Sequence, residues 1–240
     1  MTTTPKQAIN TASEDIDNKC PYCSRVFIRK NTLDRHVCEQ KRRFMDKDKP
    51  ANRIAYGAWK QFYTRHHPTK RKLEYENFID NLYYTAFVKF GIYCVAVKVI
   101  NPASYAVYLS TQRIPIDNWN SDATYTKYLM DYLKVENCLD AVRRSVETML
   151  DLSHEGNIQL CDVFRFTNSN KICQMIATGK ISPWILYHTK TGIEFLSKLN
   201  ADQTSLVFDY IDPEKWNIKF KRSAEEVAEV CQVINGIAGI

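Results

Sequence analysis

Three cysteines and one histidine near the N-terminus have the types and spacing to hold a metal ion. They lie in the segment CPYCSRVFIRKNTLDRHVC, from Cys20 to Cys38. Cys20 and Cys23, two residues apart, form a knuckle that presents two thiolates to one point, and His36 follows after twelve intervening residues. Soft thiolates and an imidazole select zinc over magnesium or calcium, which prefer oxygen ligands. Cys38 is the only soft donor close behind, because Gln40, Lys41 and Arg42 occupy the positions that follow. Two residues subtend about 200° on a continuous helix, so His36 and Cys38 can share an ion only if the helix ends or tightens at His36 and the chain curls back. Cys38 is the expected fourth ligand; a water, a remote histidine or an open site are the alternatives. No Glu-His pairing of the metalloprotease or deaminase kind adjoins the cluster, so the expected zinc is structural rather than catalytic.

A segment this short cannot bury enough apolar surface to fold alone, so a metal and a two-residue core, Phe27 and Leu33, must hold it. Cys20, Cys23, Phe27, Leu33 and His36 together resemble the C2H2 zinc-finger family, with Cys38 making it a Cys-Cys-His-Cys variant. The departure is the fourth ligand, which the family places farther from the first histidine. The resemblance implies a small ββα finger whose helix enters the DNA major groove. The family's base-reading positions fall on Arg29, Thr32 and Arg35, and arginine suits guanine through O6 and N7. Arg25, Lys30, Lys41, Arg42 and Arg43 would then contact phosphates. One finger covers about 3 bp, too few for useful specificity by itself. Lone fingers of this kind also contact proteins or merely stabilise a terminus.

Charge is concentrated around the same segment. The 240-residue chain carries a formal net charge of +6. Residues 19–72 alone hold sixteen Lys and Arg against four Asp and Glu, a net of +12, while residues 1–18 carry −2 and residues 73–240 carry −4. Such a patch is the electrostatic footprint of a nucleic-acid binder, DNA being favoured over RNA; a solvated basic helix or a surface for an acidic protein partner are the alternatives.

The expected organisation is a disordered tail at 1–18, the zinc finger at 19–43, a linker at 44–50 and a mainly helical domain at 51–240. The fold class is mostly α. Ile54, Ala55, Ala58, Trp59 and Phe62 mark an amphipathic helix stopping near His67-Pro68. A second helix is expected from Glu74 to Phe90, stopped by Gly91, with a short strand or continued helix over 92–100. Asn101-Pro102 and Ser182-Pro183 read as cap-then-proline helix starts, the latter helix running toward Leu199. Helices are expected over 125–134 and 139–152, and Ser223 with Glu226 predicts a capping box at the start of the last helix.

No catalytic residue is nominated. His66-His67 beside Lys70, Arg71 and Lys72 could handle phosphate but reads better as an exposed helix end. His154-Glu155 and Cys161-Asp162 lack a supporting spacing, and His188 follows an apolar run that suggests a core or boundary position. No GxSxG, Walker-type loop, paired-acid nuclease motif or kinase signature occurs. A DNA-processing enzyme is the third reading. Cys94, Cys138, Cys161, Cys173 and Cys231 are scattered singly, as buried thiols acting as small hydrophobes. The polar N-terminus lacks the plan of a signal peptide and no apolar run is clean enough to span a membrane, so an intracellular, soluble protein is expected. The finger, the Lys-Arg-Arg run, FVKFG (Phe87 to Gly91) and ISPW (Ile181 to Trp184) are together similar to proteins of large tailed bacteriophages, which implies a viral product acting in bacterial host cytoplasm.

Overall fold

The computed structural model describes residues 18–66 and 73–237, and the described chain is mostly helical. It divides into two compact units, Met1–Asn120 and Ser121–Ile240. The expected tail, Asn18 excepted, and the basic turn at Lys70, Arg71 and Lys72 lie outside the described residues. Among those described, no helix is long and apolar enough to cross a membrane.

The first unit begins with two short helices, α1 (Lys30–Asp34) and α2 (Glu39–Met45), followed by α3 (Pro50–His66), α4 (Tyr75–Ile79), α5 (Tyr84–Val97) and α6 (Pro102–Thr111). A 3₁₀ turn at Ile116–Asn118 closes it. Helix α3 is the scaffold, because its Ala55, Ala58 and Trp59 are buried and it packs on both α5 and α6. The core is aromatic: the Trp59 ring centroid is 5.5 Å from that of Phe78, Phe87 is 5.6 Å from Trp119, and Phe90 is 5.3 Å from Trp119. Edge-on and tilted pairs of this kind gain about 0.5–1.5 kcal/mol each beyond their buried area.

Two expectations for this region fail for physical reasons. The helix expected over 74–90 breaks, and α4 ends at Ile79. Asn81 Oδ1 accepts from the Tyr83 N–H at 2.9 Å while its Nδ2 donates to the Tyr63 hydroxyl at 2.8 Å, a local side-chain bond that competes with helix continuation. Leu82 is 88% exposed in this turn. Gly91 does not stop the next helix; it lies inside α5, which runs on to Val97 and replaces the short strand. A Cβ on Gly91 would sit 2.0 Å from the Ala51 carbonyl oxygen, so glycine here permits close approach of α3 and α5.

The second unit comprises α7 (Asp122–Val135), α8 (Cys138–Gly156), α9 (Val163–Phe166), α10 (Ser169–Ala177), α11 (Pro183–His188), α12 (Lys190–Leu196), α13 (Ala201–Ile211), α14 (Pro213–Arg222) and α15 (Ala224–Gly236), with a 3₁₀ turn at Leu160–Asp162. Its core draws Val142, Met149, Ile172, Ile176, Trp184, Leu186 and Val207 from four helices. A buried Glu136 is held by Arg144 through two contacts of 2.8 and 2.9 Å, and Arg144 also donates to the Gly179 carbonyl. The helix expected from Ser182 toward Leu199 starts as predicted but divides at Thr189, which leaves helical geometry and caps α12 by accepting from Gly192 N–H. The capping box at Ser223 does not form. Ser223 also closes α14, its N–H bonding Lys219 O, and that shared duty keeps it from the extended geometry a cap needs.

Candidate metal centre

Cys20, Cys23, His36 and Cys38 converge. Each offers one ligand atom, and these atoms all lie within 4.8 Å of one another. The Cys20 and Cys38 sulfurs are 3.9 Å apart, and Cys23 Sγ is 3.2 Å from His36 Nε2. A tetrahedral zinc with Zn–S bonds of about 2.3 Å needs ligand atoms separated by about 3.8 Å, so the cluster has the right scale. The group is close enough to hold one metal ion, and three sulfurs with one imidazole are compatible with zinc.

The local backbone explains the convergence. Cys20 N–H donates to Arg25 O at 2.8 Å, and Ser24 N–H donates to Cys20 O at 2.9 Å. Ser24 takes a left-handed φ of 59°, closing the knuckle immediately after Cys23. The returning chain makes one antiparallel bridge, Lys19 with Val26, and Phe27 N–H bonds Asn18 O. Among the described residues this single bridge stands where the ββα resemblance implied a hairpin, and Asp17, which would pair next with Ile28, lies outside them. Burial opposes ionisation of the Cys20 thiol, but the backbone N–H groups of Cys23 and Tyr22 aimed at its sulfur bring it below the ordinary value.

The second half of the site curls back as the spacing requires. Helix α1 stops at Asp34, and His36 N–H bonds Leu33 O at 3.0 Å in a tightened turn. Cys38 is extended, with φ −90° and ψ 166°, and its sulfur caps α2 by accepting from Lys41 N–H at 3.3 Å. Phe27 is half-buried with its ring centroid 4.6 Å from that of His36, and Leu33, the other expected core position, is half-buried too.

The nominated nucleic-acid residues separate into two groups. Arg25, Arg29, Lys30, Thr32, Arg35 and Arg42 are exposed, and the five cations among them form no ion pair with any described residue. Lys41 and Arg43 are half-buried. Lys41 reaches back to His36 O through Nζ at 3.4 Å. Arg43 is turned into the unit: its guanidinium lies 4.2 Å from the Tyr84 ring centroid and donates to Ile79 O and to Glu39. Burial pushes the Tyr84 phenol up to about 12, so it stays neutral under the cation and accepts from Asn52 Nδ2. Arg43 thus serves as an anchor that the run of Lys41, Arg42 and Arg43 concealed in the sequence. Tyr22 and Phe44 extend the same attachment, with ring centroids 5.2 Å apart.

The remaining chemistry-bearing residues do not assemble. His66 is exposed at the end of α3 beside Phe62, and His67 lies outside the described residues. His154 is exposed, Glu155 pairs with Lys171, and Asp162 pairs with Arg165. His188 packs against Trp184 and Phe220 at the boundary of the second core, as expected. Of the scattered cysteines, Cys94, Cys138 and Cys173 are buried, and burial pushes the Cys94 thiol up to about 12; Cys161 and Cys231 are only half-buried. No protein-family model matches the chain, and no curated protein or solved structure matches it.

Proposed function

We propose that one zinc ion bound by Cys20, Cys23, His36 and Cys38 shapes a basic module that binds nucleic acid, DNA in preference to RNA. The observation that carries this reading is the set of five exposed cations around the ligand cluster, Arg25, Arg29, Lys30, Arg35 and Arg42, with no acidic partner among the described residues. Exposed cations without an acidic partner can neutralise phosphates and release their condensed counterions. Arg29, Thr32 and Arg35 are the residues assigned to base edges; Arg25, Lys30 and Arg42 are assigned to phosphates. Arg43 leaves the phosphate set, because its guanidinium is already committed to Tyr84 and Ile79.

A titration of short duplex DNA with zinc-loaded full chain, repeated over a range of salt, tests this. The affinity should fall steeply with salt, and Arg42→Ala should reduce the log–log slope by about 0.9, the share of one phosphate contact. Failure to bind duplex, single strand or RNA at low salt ends the proposal.

A second reading, contact with a protein, is favoured by exposed apolar residues on the same module. Ile28 is 96% exposed, Val37 63% and Val26 57%. Under that reading Ile28→Ser abolishes partner capture and the arginine substitutions matter little; under the first reading the order is reversed.

A further inference from the structure

The second unit contains a cavity of about 330 Å³ bordered by α7, α13 and α14, a size suited to a small organic ligand. Met130 and Leu133 of α7, Tyr210 of α13 and Trp216 of α14 supply its apolar lining. Lys219 supplies an unusual polar group beside it. The ammonium lies 4.7 Å from the Trp216 ring centroid and 5.5 Å from that of Trp184, and it donates to Lys134 O at 3.1 Å.

Two of the four carboxylates nearby, Asp212 and Glu136, are committed elsewhere. Asp212 pairs with Lys215 at 3.0 Å and accepts from the N–H groups of Glu214 and Lys215. Glu136 is held by Arg144, and neither it nor Glu226 is within ion-pair distance of Lys219. Asp209 is exposed at the rim. Burial draws the Lys219 amine below the ordinary lysine range although Glu226 and Glu136 act on it from a distance, so the half-buried ammonium has no counter-charge in contact with it. An anion entering beside it would supply that counter-charge, and an apolar body attached to the anion would fill the space against Trp216 and Leu133.

We propose that this cavity binds a small organic carboxylate with an aromatic or branched apolar body, Lys219 pairing with the carboxylate and Trp216, Leu133 and Met130 enclosing the body. Ring stacking and area burial then give affinity, while Lys219, the lining lysine not already paired as Lys134 is with Asp131 and Lys215 with Asp212, gives selectivity for acids over neutral isosteres.

Calorimetric titration of the full chain with naphthaleneacetate and with its uncharged counterpart naphthaleneethanol tests the assignment. One saturable site is expected, with the acid bound about tenfold tighter, the worth of a hydrogen-bonded charge contact. Lys219→Met should erase the difference between acid and alcohol, and Lys219→Arg should keep it. Met130→Trp, which fills the cavity without touching the cation, should remove binding of both. Equal affinity for the two probes in the wild type, a preference that survives Lys219→Met, or binding unchanged by Met130→Trp overturns the proposal. Thermal unfolding of each variant identifies any that fails to fold, and Met130→Trp with Lys219→Arg decides the matter if Lys219→Met does so.

Discussion

Cys38 has two duties: it completes the ligand cluster and caps α2 through its sulfur. These can be separated. Cys38→Ser keeps a good cap and removes the soft donor, so zinc content at limiting metal should fall below one per chain. Cys38→Ala removes both, and in chelated protein it should unfold about 1 kcal/mol more easily than Cys38→Ser, the usual worth of a cap, read from thermal melts. Arg42 and Arg43 make a similar contrast. Arg43→Ala removes hydrogen bonds to Ile79 O and Glu39 and the stacking on Tyr84, at a cost of about 1.5–3 kcal/mol, while Arg42→Ala should leave the melting curve in place. The ligands were legible in the sequence because thiolates and imidazole at knuckle spacing have few other uses. Arg43 was not, since its partners Ile79 and Tyr84 are remote in the chain and a run of three cations carries no sign of which one turns inward.

At the scale of elements, the caps were the readable part. Asn101 accepts from Ser104 N–H and Ser182 from Trp184 N–H, both as their sequences indicate. Asn168, Asn200 and Asp212 cap α10, α13 and α14 by the same chemistry. What sequence could not convey was contact at a distance. Gly91 reads as a stop until the Ala51 carbonyl is seen against it. Gly91→Ala should force α3 from α5 and cost at least about 1–3 kcal/mol, measured as a lowered melting temperature, despite the better helix propensity of alanine. Asp212 carries a pH signature. Its hydrogen bond from Lys215 holds the carboxyl below its ordinary value of 3.8. A depressed pKa contributes stability that is present above the unfolded value and lost as pH falls through the folded one. Asp212→Asn retains a cap and removes the charge, so it should flatten the dependence of melting temperature on pH below about pH 4.

At the scale of the molecule, a basic segment with clustered cysteines and a histidine and a predominantly helical remainder were both visible from charge, spacing and periodicity. The division between Asn120 and Ser121 was not, because neither Pro-Gly punctuation nor a charge run marks it. The Cys/His segment belongs to the first unit, where Arg43, Tyr22 and Phe44 attach it to helices that follow. That attachment gives the central claim a direct test. Metal-bound geometry should hold the exposed cations in place, and loss of the metal should release them while the aromatic core of the unit stays folded. The deciding measurement is the affinity of the full chain for one short DNA duplex at low salt, before chelation, after chelation and after zinc is restored. The account predicts strong binding, loss on chelation and recovery with zinc; binding indifferent to chelation, or absent from the zinc-loaded protein, would contradict it.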